Sequence, residues 1–100
     1  MPCSVRYKRA AAAEVEAAIS RYAQPEINQA SALIRDLERT ESHLRTQPAL
    51  YQRVEGEVRR AVLRRFPYSL FYVIEQDQVL VLAFLHQRDK PLTREELIKL

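Results

Sequence analysis

The sequence has one glycine and one cysteine and no tryptophan. The scarcity of glycine and of cysteine excludes a phosphate-binding loop and an internal disulfide, respectively. With one glycine in 100 residues, the chain has no glycine-rich loop that could wrap a phosphate group. The single cysteine, Cys3, cannot form an internal disulfide, which suits a reducing cytoplasm. No set of Cys, His and carboxylate residues has the spacing of metal ligands, so we expect neither a metal nor another cofactor.

Long apolar runs are also missing, and this limits where the protein can act. No stretch approaches the roughly 20 apolar residues of a membrane-spanning helix, so no membrane contact is expected. The segment from Met1 to Arg6 lacks the basic-then-apolar pattern of a secretory signal, which predicts a cytoplasmic protein. A chain of 100 residues is expected to form a single domain over residues 1–100.

Charge is distributed unevenly along the chain. The net charge is only +3, from 16 basic and 13 acidic side chains. Between residues 53 and 67, however, five arginines stand against two glutamates, Glu55 and Glu57. A local positive field of this kind predicts an anionic partner for that segment.

The N-terminal half has the pattern of one short strand followed by two helices. Alternation from Ser4 to Lys8 predicts the strand, and apolar residues at helical spacing predict a helix from Ala10 to Tyr22 that Pro25 terminates. A second helix is predicted from about Glu26 to Thr46, in an antiparallel hairpin with the first. Its apolar stripe comprises Ile27, Ala30, Leu33, Ile34, Leu37 and Leu44, and its outward face comprises Arg35, Asp36, Glu38, Arg39 and Glu41.

The C-terminal half changes to the alternation typical of strands. After a loop over residues 48–56, strands are predicted over residues 58–66, 68–75 and 79–85, the last covered on both faces because it is apolar throughout. The turn at Gln76 and Asp77 fits a connection of two residues or of three to five. Thr93 and Glu96 form a capping-box pattern, so a short C-terminal helix that buries Leu97, Ile98 and Leu100 can follow.

These elements predict the fold class α+β, with the order β-α-α-β-β-β. The helical hairpin packs on one face of a small, mainly antiparallel sheet, and a short helix follows at the C-terminus. The other face of the sheet is expected to present Arg, Tyr and His side chains.

The strand predicted over residues 58–66 has arginine on both faces, which is unusual. These arginines are the candidate binding residues. Guanidinium groups bind phosphate oxygens bidentately. The alternative is pairing with Glu55, Glu57 and Glu75 or with a partner's carboxylates. The arginines concerned are Arg59, Arg60, Arg64 and Arg65.

Aromatic and titratable side chains extend this candidate surface. Tyr68 and Tyr72 could stack on bases, but their alternation with apolar residues favours packing in the core. His86, at the end of the last strand, could act as an acid or base. A histidine in that position is more commonly hydrogen-bonded to the backbone. Arg88 points the same way as His86 if the strand continues.

The segment RRAVLRRFPYSLFYVIE, followed by VLVLAFLHQRDKP, resembles the ParE/RelE toxin superfamily of bacterial toxin–antitoxin (plasmid stabilisation) modules. The helix AAAEVEAAISRY and the order of elements agree, so the resemblance covers nearly the whole chain. It implies one of two activities. ParE-like members poison DNA gyrase by binding it, and RelE-like members cut messenger RNA in the ribosome through attack of a 2′-hydroxyl. It also implies a hetero-oligomer with a cognate antitoxin, whose contact residues are left open.

The chemistry of RNA cleavage favours the ParE-like branch. Cleavage needs a general base, a general acid and a cation near the phosphate. The resemblance implies that RelE-type members supply these from clustered Lys and Arg with a C-terminal tyrosine, or from Glu and His. Here no lysine lies on the basic strand and no tyrosine follows Tyr72. The set left for a nuclease is His86, Arg65 and Glu57.

On the favoured interpretation no catalytic residue is expected, and the target is DNA gyrase rather than the ribosome and mRNA. The expected target-binding residues are Arg59, Arg60, Arg64, Arg65, Tyr68, His86 and Arg88. A third alternative is an inactive family member that only binds antitoxin.

Overall fold

The computed structural model describes residues 3–89 and 93–100. The elements are β1 (Ser4–Tyr7), α1 (Arg9–Tyr22), α2 (Ala30–Thr46), a 3₁₀ turn (Pro48–Leu50), β2 (Arg53–Glu55), β3 (Val58–Val62), β4 (Tyr68–Glu75), β5 (Gln78–His86) and α3 (Arg94–Lys99). The predicted α+β class is confirmed. Lys90 and Pro91 of the C-terminal sequence motif lie outside the described residues. None of the described helices is both long and apolar enough to cross a membrane.

The sheet has five strands in the order β1-β5-β4-β3-β2. β3, β4 and β5 are antiparallel neighbours, as predicted, and β1 lies parallel to β5. β4 and β5 are joined by a two-residue connection, because Glu75 pairs with Gln78. The strand β2 was wrongly predicted as loop, since three residues are too few to show alternation. Its pairing with β3 depends on a turn at Gly56, whose φ of 54° suits glycine.

One face of the sheet is covered by α1 and α2. Ala11 and Ala18 of α1 are buried, with exposures of 0% and 1%, and so is Leu33 of α2 at 1%. The small alanine side chains let α1 approach β5 closely. The sheet contributes fully buried residues to the same core, namely Leu70, Tyr72, Val79 and Val81. Each buried aliphatic side chain of this kind stabilises the fold by about 1.5–3 kcal/mol.

The second helix begins at Ala30, four residues later than predicted. The chain first makes a turn in which the N–H groups of Ile27 and Asn28 donate to the carbonyl of Gln24. Asn28 has a φ of 50°, a left-handed conformation that a right-handed helix cannot include. Ile27 therefore lies before the helix rather than on its apolar stripe, and its side chain is 39% exposed.

The outward position predicted for Asp36 is wrong, because the residue is only 2% exposed. Asp36 and Thr40 lie on the same side of α2 as Leu33, Leu37 and Leu44, at spacings of three and four residues. The stripe that faces the sheet is therefore wider than its apolar members, and it includes one carboxylate.

The strand predicted over residues 58–66 ends at Val62. The N–H of Leu63 still donates to the carbonyl of Tyr68, but the next three N–H groups turn to Asp36 instead of a neighbouring strand. Residues after Leu63 therefore form a loop, and the side-to-side alternation predicted for Arg64 and Phe66 does not apply.

The second face of the sheet is mostly apolar and presents Arg60 beside Phe71, so the expectation that it presents Arg, Tyr and His is wrong for the tyrosines. Tyr68 and Tyr72 belong to the core beneath the helices. The second face carries a smaller cluster formed by Val58, Phe71, Leu82, Ala83 and Leu97. Leu97 comes from α3.

The helix α3 has the predicted capping box. The N–H of Glu96 donates to Thr93 Oγ1 at 3.2 Å, and the N–H of Thr93 donates to Glu96 Oε1 at 3.1 Å. Leu97 is buried against the sheet as predicted. Ile98 is 64% exposed and was wrongly placed on the same side, because successive helical residues point about 100° apart.

Candidate functional site

The loop between β3 and β4 is held by a buried carboxylate. The backbone N–H groups of Arg64, Arg65 and Phe66 donate to Asp36, with N···O distances of 3.2, 2.7 and 3.0 Å. The guanidinium of Arg39 bonds to the same carboxylate. Burial by itself raises the pKa of Asp36, but these donors outweigh it and hold the pKa below its usual value. Asp36 is therefore charged at neutral pH and determines the path of the loop.

The loop displays two arginine side chains to solvent. Arg64 and Arg65 are both exposed, and the Arg65 guanidinium lies 5.8 Å from the centre of the Phe66 ring. Within residues 3–89 and 93–100, no carboxylate forms an ion pair with either arginine. Their charges are thus available to an anionic partner.

The turn that follows β5 lies directly beside this loop. The N–H of Gln87 donates to the carbonyl of Pro67 at 2.7 Å and joins the two segments. His86 Nδ1 accepts the N–H of Arg88 at 2.9 Å, so the imidazole fixes the turn, in the backbone-bonded role that is common for such a histidine. The side chain of Arg88 is exposed, and its turn is bonded to the loop that carries Arg64 and Arg65.

Tyr68 lies beneath both segments and is not a surface residue. It is 3% exposed, and its ring stacks on Phe84 at a centroid distance of 4.6 Å and meets His86 edge-on at 4.9 Å. The Tyr68 hydroxyl accepts a hydrogen bond from Arg21 at 2.7 Å. Burial raises its pKa, although the charge of Arg21 opposes the shift. The ring is therefore inaccessible to a base that would stack on it.

Arg21 was missed by sequence reasoning because it lies on α1, far along the chain from the basic strand. Its contact with Tyr68 brings it to the same end of the sheet. We call this region the arginine end, and define it as Arg21, Arg64, Arg65, Arg88 and His86 around the buried Tyr68. It unites four of the predicted target-binding residues with Tyr68 below them.

Arg59 and Arg60 lie elsewhere. The Arg59 guanidinium donates to the carbonyls of Ala49 and Tyr51, at 3.1 and 2.6 Å. Nearby, the Tyr72 hydroxyl donates to the carbonyl of Pro48 at 2.6 Å. Burial raises the pKa of Tyr72 to about 12, against the opposing charge of Arg59. These bonds hold the 3₁₀ turn against the sheet, so the Nη1 donors of Arg59 are already used within the fold.

Arg60 faces the second side of the sheet. It lines a cavity of about 410 Å³ together with Phe71, Ser69, Leu85 and Leu97. No described carboxylate pairs with Arg60. His86, Gln87 and Asp89 line the same cavity, so Arg60 lies in a partly polar groove that borders the arginine end.

The residues considered for a nuclease are not brought together. Arg65 and His86 share the arginine end, whereas Glu57 lies in the turn between β2 and β3 and pairs with Arg53 at 3.4 Å. The register places His86 opposite Tyr68 and Arg59 opposite Tyr72. Glu57 is therefore six residues further along the sheet, on the order of 20 Å from His86 at about 3.3 Å per residue.

Two of the three carboxylates predicted to neutralise the basic strand pair with other arginines. Glu55 pairs with Arg94 at 3.3 Å, and Glu57 pairs with Arg53. In the part of the chain that the structure describes, no group of three His, Cys, Asp or Glu side chains could hold a metal ion.

Comparison with known proteins gives a family and a shared fold. The family described as "ParE toxin of type II toxin-antitoxin system, parDE" matches residues 5–91. A structure of the chromosomal ParDE toxin–antitoxin system from P. aeruginosa is 19% identical, covers 84% of this chain and 95% of its own, and has a TM-score of 0.68. A RelBE toxin–antitoxin complex from Mycobacterium tuberculosis is 20% identical, covers 89% and 95%, and has a TM-score of 0.58.

A further structure shares the fold without naming an activity. A conserved hypothetical protein from Helicobacter pylori is 12% identical, covers 84% of this chain and 93% of its own, and has a TM-score of 0.54. No protein of curated function matches the sequence.

Proposed function

The chain belongs to the ParE toxin family of type II toxin–antitoxin systems, and from this premise we propose that it inhibits DNA gyrase by direct binding. The observation that carries the proposal is the separation of Glu57 from His86. A family member that cut RNA with these residues would need them on either side of one phosphate. A member that acts by binding needs only an accessible surface of matching charge.

The distances support binding over catalysis. A general acid and a general base must each lie within about 3 Å of the proton they transfer. Glu57, on the order of 20 Å from His86, cannot share a phosphate with it. His86 also uses Nδ1 to hold the turn through the N–H of Arg88. Arg65 and His86 alone supply a cation and one titratable group.

The arginine end supplies the binding surface in this proposal. Arg64, Arg65 and Arg88 are exposed, and their guanidinium groups form no ion pair with a described carboxylate. Exposed charges of one sign speed the encounter with an oppositely charged partner and set its orientation. Arg60, on the second face, extends the positive surface toward the groove beside Phe71.

A cognate antitoxin is the second partner that we propose. The family is defined by type II systems, and the structures from P. aeruginosa and M. tuberculosis are described as a toxin–antitoxin system and complex. The expected assembly is a hetero-oligomer in which the antitoxin blocks toxicity.

The proposal is tested with purified protein in a gyrase supercoiling assay and a translation-coupled mRNA cleavage assay. We expect loss of supercoiling or accumulation of cleaved DNA, with mRNA intact. The double change Arg64→Glu and Arg65→Glu should weaken gyrase inhibition about tenfold or more. It should leave the unfolding midpoint unchanged, because both side chains are exposed.

The matched control is Arg6→Glu with Arg9→Glu, which changes the net charge equally at exposed positions of β1 and α1. It should keep full inhibition. Undiminished inhibition after reversal of Arg64 and Arg65 would show that the surface is assigned wrongly. Ribosome-dependent mRNA cuts that vanish in His86→Ala, with gyrase unaffected, would instead make the protein a ribonuclease.

A further inference from the structure

We propose that the arginine end binds the phosphate backbone of duplex DNA, so that the toxin contacts DNA held by gyrase as well as gyrase itself. The inference rests on the proposed gyrase-directed function and identifies a partner for the same surface. It follows from how charge, donors and aromatic rings are arranged there.

The positive charge of this end is not neutralised by its carboxylates. Asp36 is the nearest acidic group to the loop, but it is 2% exposed and is surrounded by three backbone N–H groups and Arg39. Asp89 accepts the N–H of His86 at 3.0 Å. Glu26 is an exposed carboxylate in the connection that follows Arg21. Four arginines therefore stand against two exposed carboxylates, Asp89 and Glu26, so this end keeps a net positive charge.

The chemistry of the donors fits phosphate. Each guanidinium carries a planar fork of N–H groups that matches two oxygens of one phosphate. Arg64 and Arg65 come from one loop and Arg88 from the next, and the bond from Gln87 to Pro67 holds the two loops side by side. Duplex DNA carries one charge per about 1.7 Å of axis, so arginines on neighbouring loops can meet separate phosphates.

The aromatic rings of this end favour a duplex over a single strand. Proteins that bind single-stranded nucleic acid stack bases on exposed aromatic side chains. Here Tyr68, Phe66 and Phe84 are 3%, 6% and 2% exposed, and Tyr22, which meets Phe66 and Tyr68 edge-on, is half-buried. The end can therefore contact a backbone but has, among its described residues, no fully exposed ring on which a base would stack.

The apolar residues nearest this surface lie at its border and not at its centre. Energetically dominant interface residues are buried aromatic and apolar anchors with a polar surround. The exposed large apolar residues of the described chain are Ile27, Ile34, Leu50, Val62 and Ile98. Val62 lies directly before the loop over residues 63–67 and lines the cavity beside His86, whereas that loop and the turn over residues 87–89 contain none of these residues. The centre of the arginine end is therefore polar, which suits phosphate.

The test measures binding of the purified toxin to a fluorescent mixed-sequence DNA duplex by anisotropy, from 50 to 200 mM salt. With three or four phosphate contacts, the plot of log K against log salt concentration should have a slope of about −3. Arg64→Ala with Arg65→Ala should reduce the magnitude of this slope by about 2 and weaken binding about tenfold or more at 50 mM salt. The control pair Arg6→Ala with Arg9→Ala removes the same charge and should change both quantities little.

Binding to a single strand of the same sequence is measured in parallel, together with a gyrase assay. Weaker binding to the single strand supports the inference, and a preference for it overturns the assignment to duplex. No duplex binding, or equal effects of the two double variants, also overturns it. If gyrase free of DNA binds the wild type but not the Arg64 and Arg65 variant, and duplex does not bind, the partner is an acidic protein surface.

The two proposals fail separately. Gyrase inhibition without duplex binding would overturn the present inference and leave the proposed function standing. Duplex binding without gyrase inhibition would show that the arginine end binds DNA, and it would reject both gyrase as the target and contact with DNA held by gyrase.

Discussion

Arg59 and Arg64 stand five residues apart in the same basic segment, yet the fold uses them in opposite ways. Arg59 turns its guanidinium inward and donates to the carbonyls of Ala49 and Tyr51. Arg64 keeps its side chain in solvent and bonds to the fold through its backbone N–H, which donates to Asp36. The side chain of Arg59 therefore stabilises the fold, whereas the fold fixes the backbone of Arg64 and leaves its side chain exposed.

The difference lies in which part of each residue the fold has bound. The carbonyls of Ala49 and Tyr51 accept from the guanidinium of Arg59. The carboxylate of Asp36 accepts from the backbone N–H of Arg64 and leaves the Arg64 side chain free. Runs of basic residues in a sequence therefore mix structural arginines with those that can meet a partner.

The change Asp36→Ala should have the largest effect on the free energy of unfolding. It removes the acceptor of three backbone N–H groups, and an unsatisfied buried donor costs about 1–3 kcal/mol. Water can reach part of the exposed loop, so we expect a loss of about 3 kcal/mol in urea unfolding. Asp36→Asn is the matched control and should lose less, because its carbonyl still accepts. A loss below about 1 kcal/mol for the alanine variant would mean that Asp36 does not hold the loop.

The change Arg59→Ala should have an intermediate effect. It removes two hydrogen bonds from a charged donor, one of them partly buried, which predicts a loss of about 1–2 kcal/mol. Arg64→Ala removes an equal charge from an exposed side chain and should change stability by less than about 0.5 kcal/mol. Urea unfolding of both variants measures this difference in stability. Equal midpoints would contradict the conclusion that Arg59 stabilises the fold and Arg64 does not.

Lowering the pH should have the smallest effect on the free energy of unfolding. Burial raises the pKa of Asp36 while its hydrogen bonds lower it, so the net shift is reduced. A carboxyl whose folded pKa is depressed stabilises the fold above its unfolded pKa of about 3.9, and this contribution is lost as the pH falls through the folded pKa. The stability difference between wild type and Asp36→Asn should thus be constant from about pH 7 to 5 and shrink below about pH 4. A difference that stays constant down to pH 2 would show that folding does not lower the pKa of Asp36.

Much of the fold is determined by patterns within short stretches of sequence. Alternation places β4 at the residues predicted, and the apolar run predicts β5 within one residue at each end. The capping box joins Thr93 and Glu96, three residues apart. These features are readable because the interacting groups are close along the chain and the side-chain period is fixed by backbone geometry.

The candidate site depended on contacts between distant residues. Asp36 lies 28 to 30 residues before the N–H groups it binds, and Arg21 lies 47 residues before Tyr68. The sequence carries the arginines, the family resemblance and a polar residue at a core-facing position of α2. Only the tertiary structure decided that this carboxylate ends β3, that Arg59 is bound within the fold, and that Arg64, Arg65 and Arg88 meet at one end. A buried charge forms hydrogen bonds with the donors that tertiary packing places next to it. The periodicity of the local sequence does not show which donors these are.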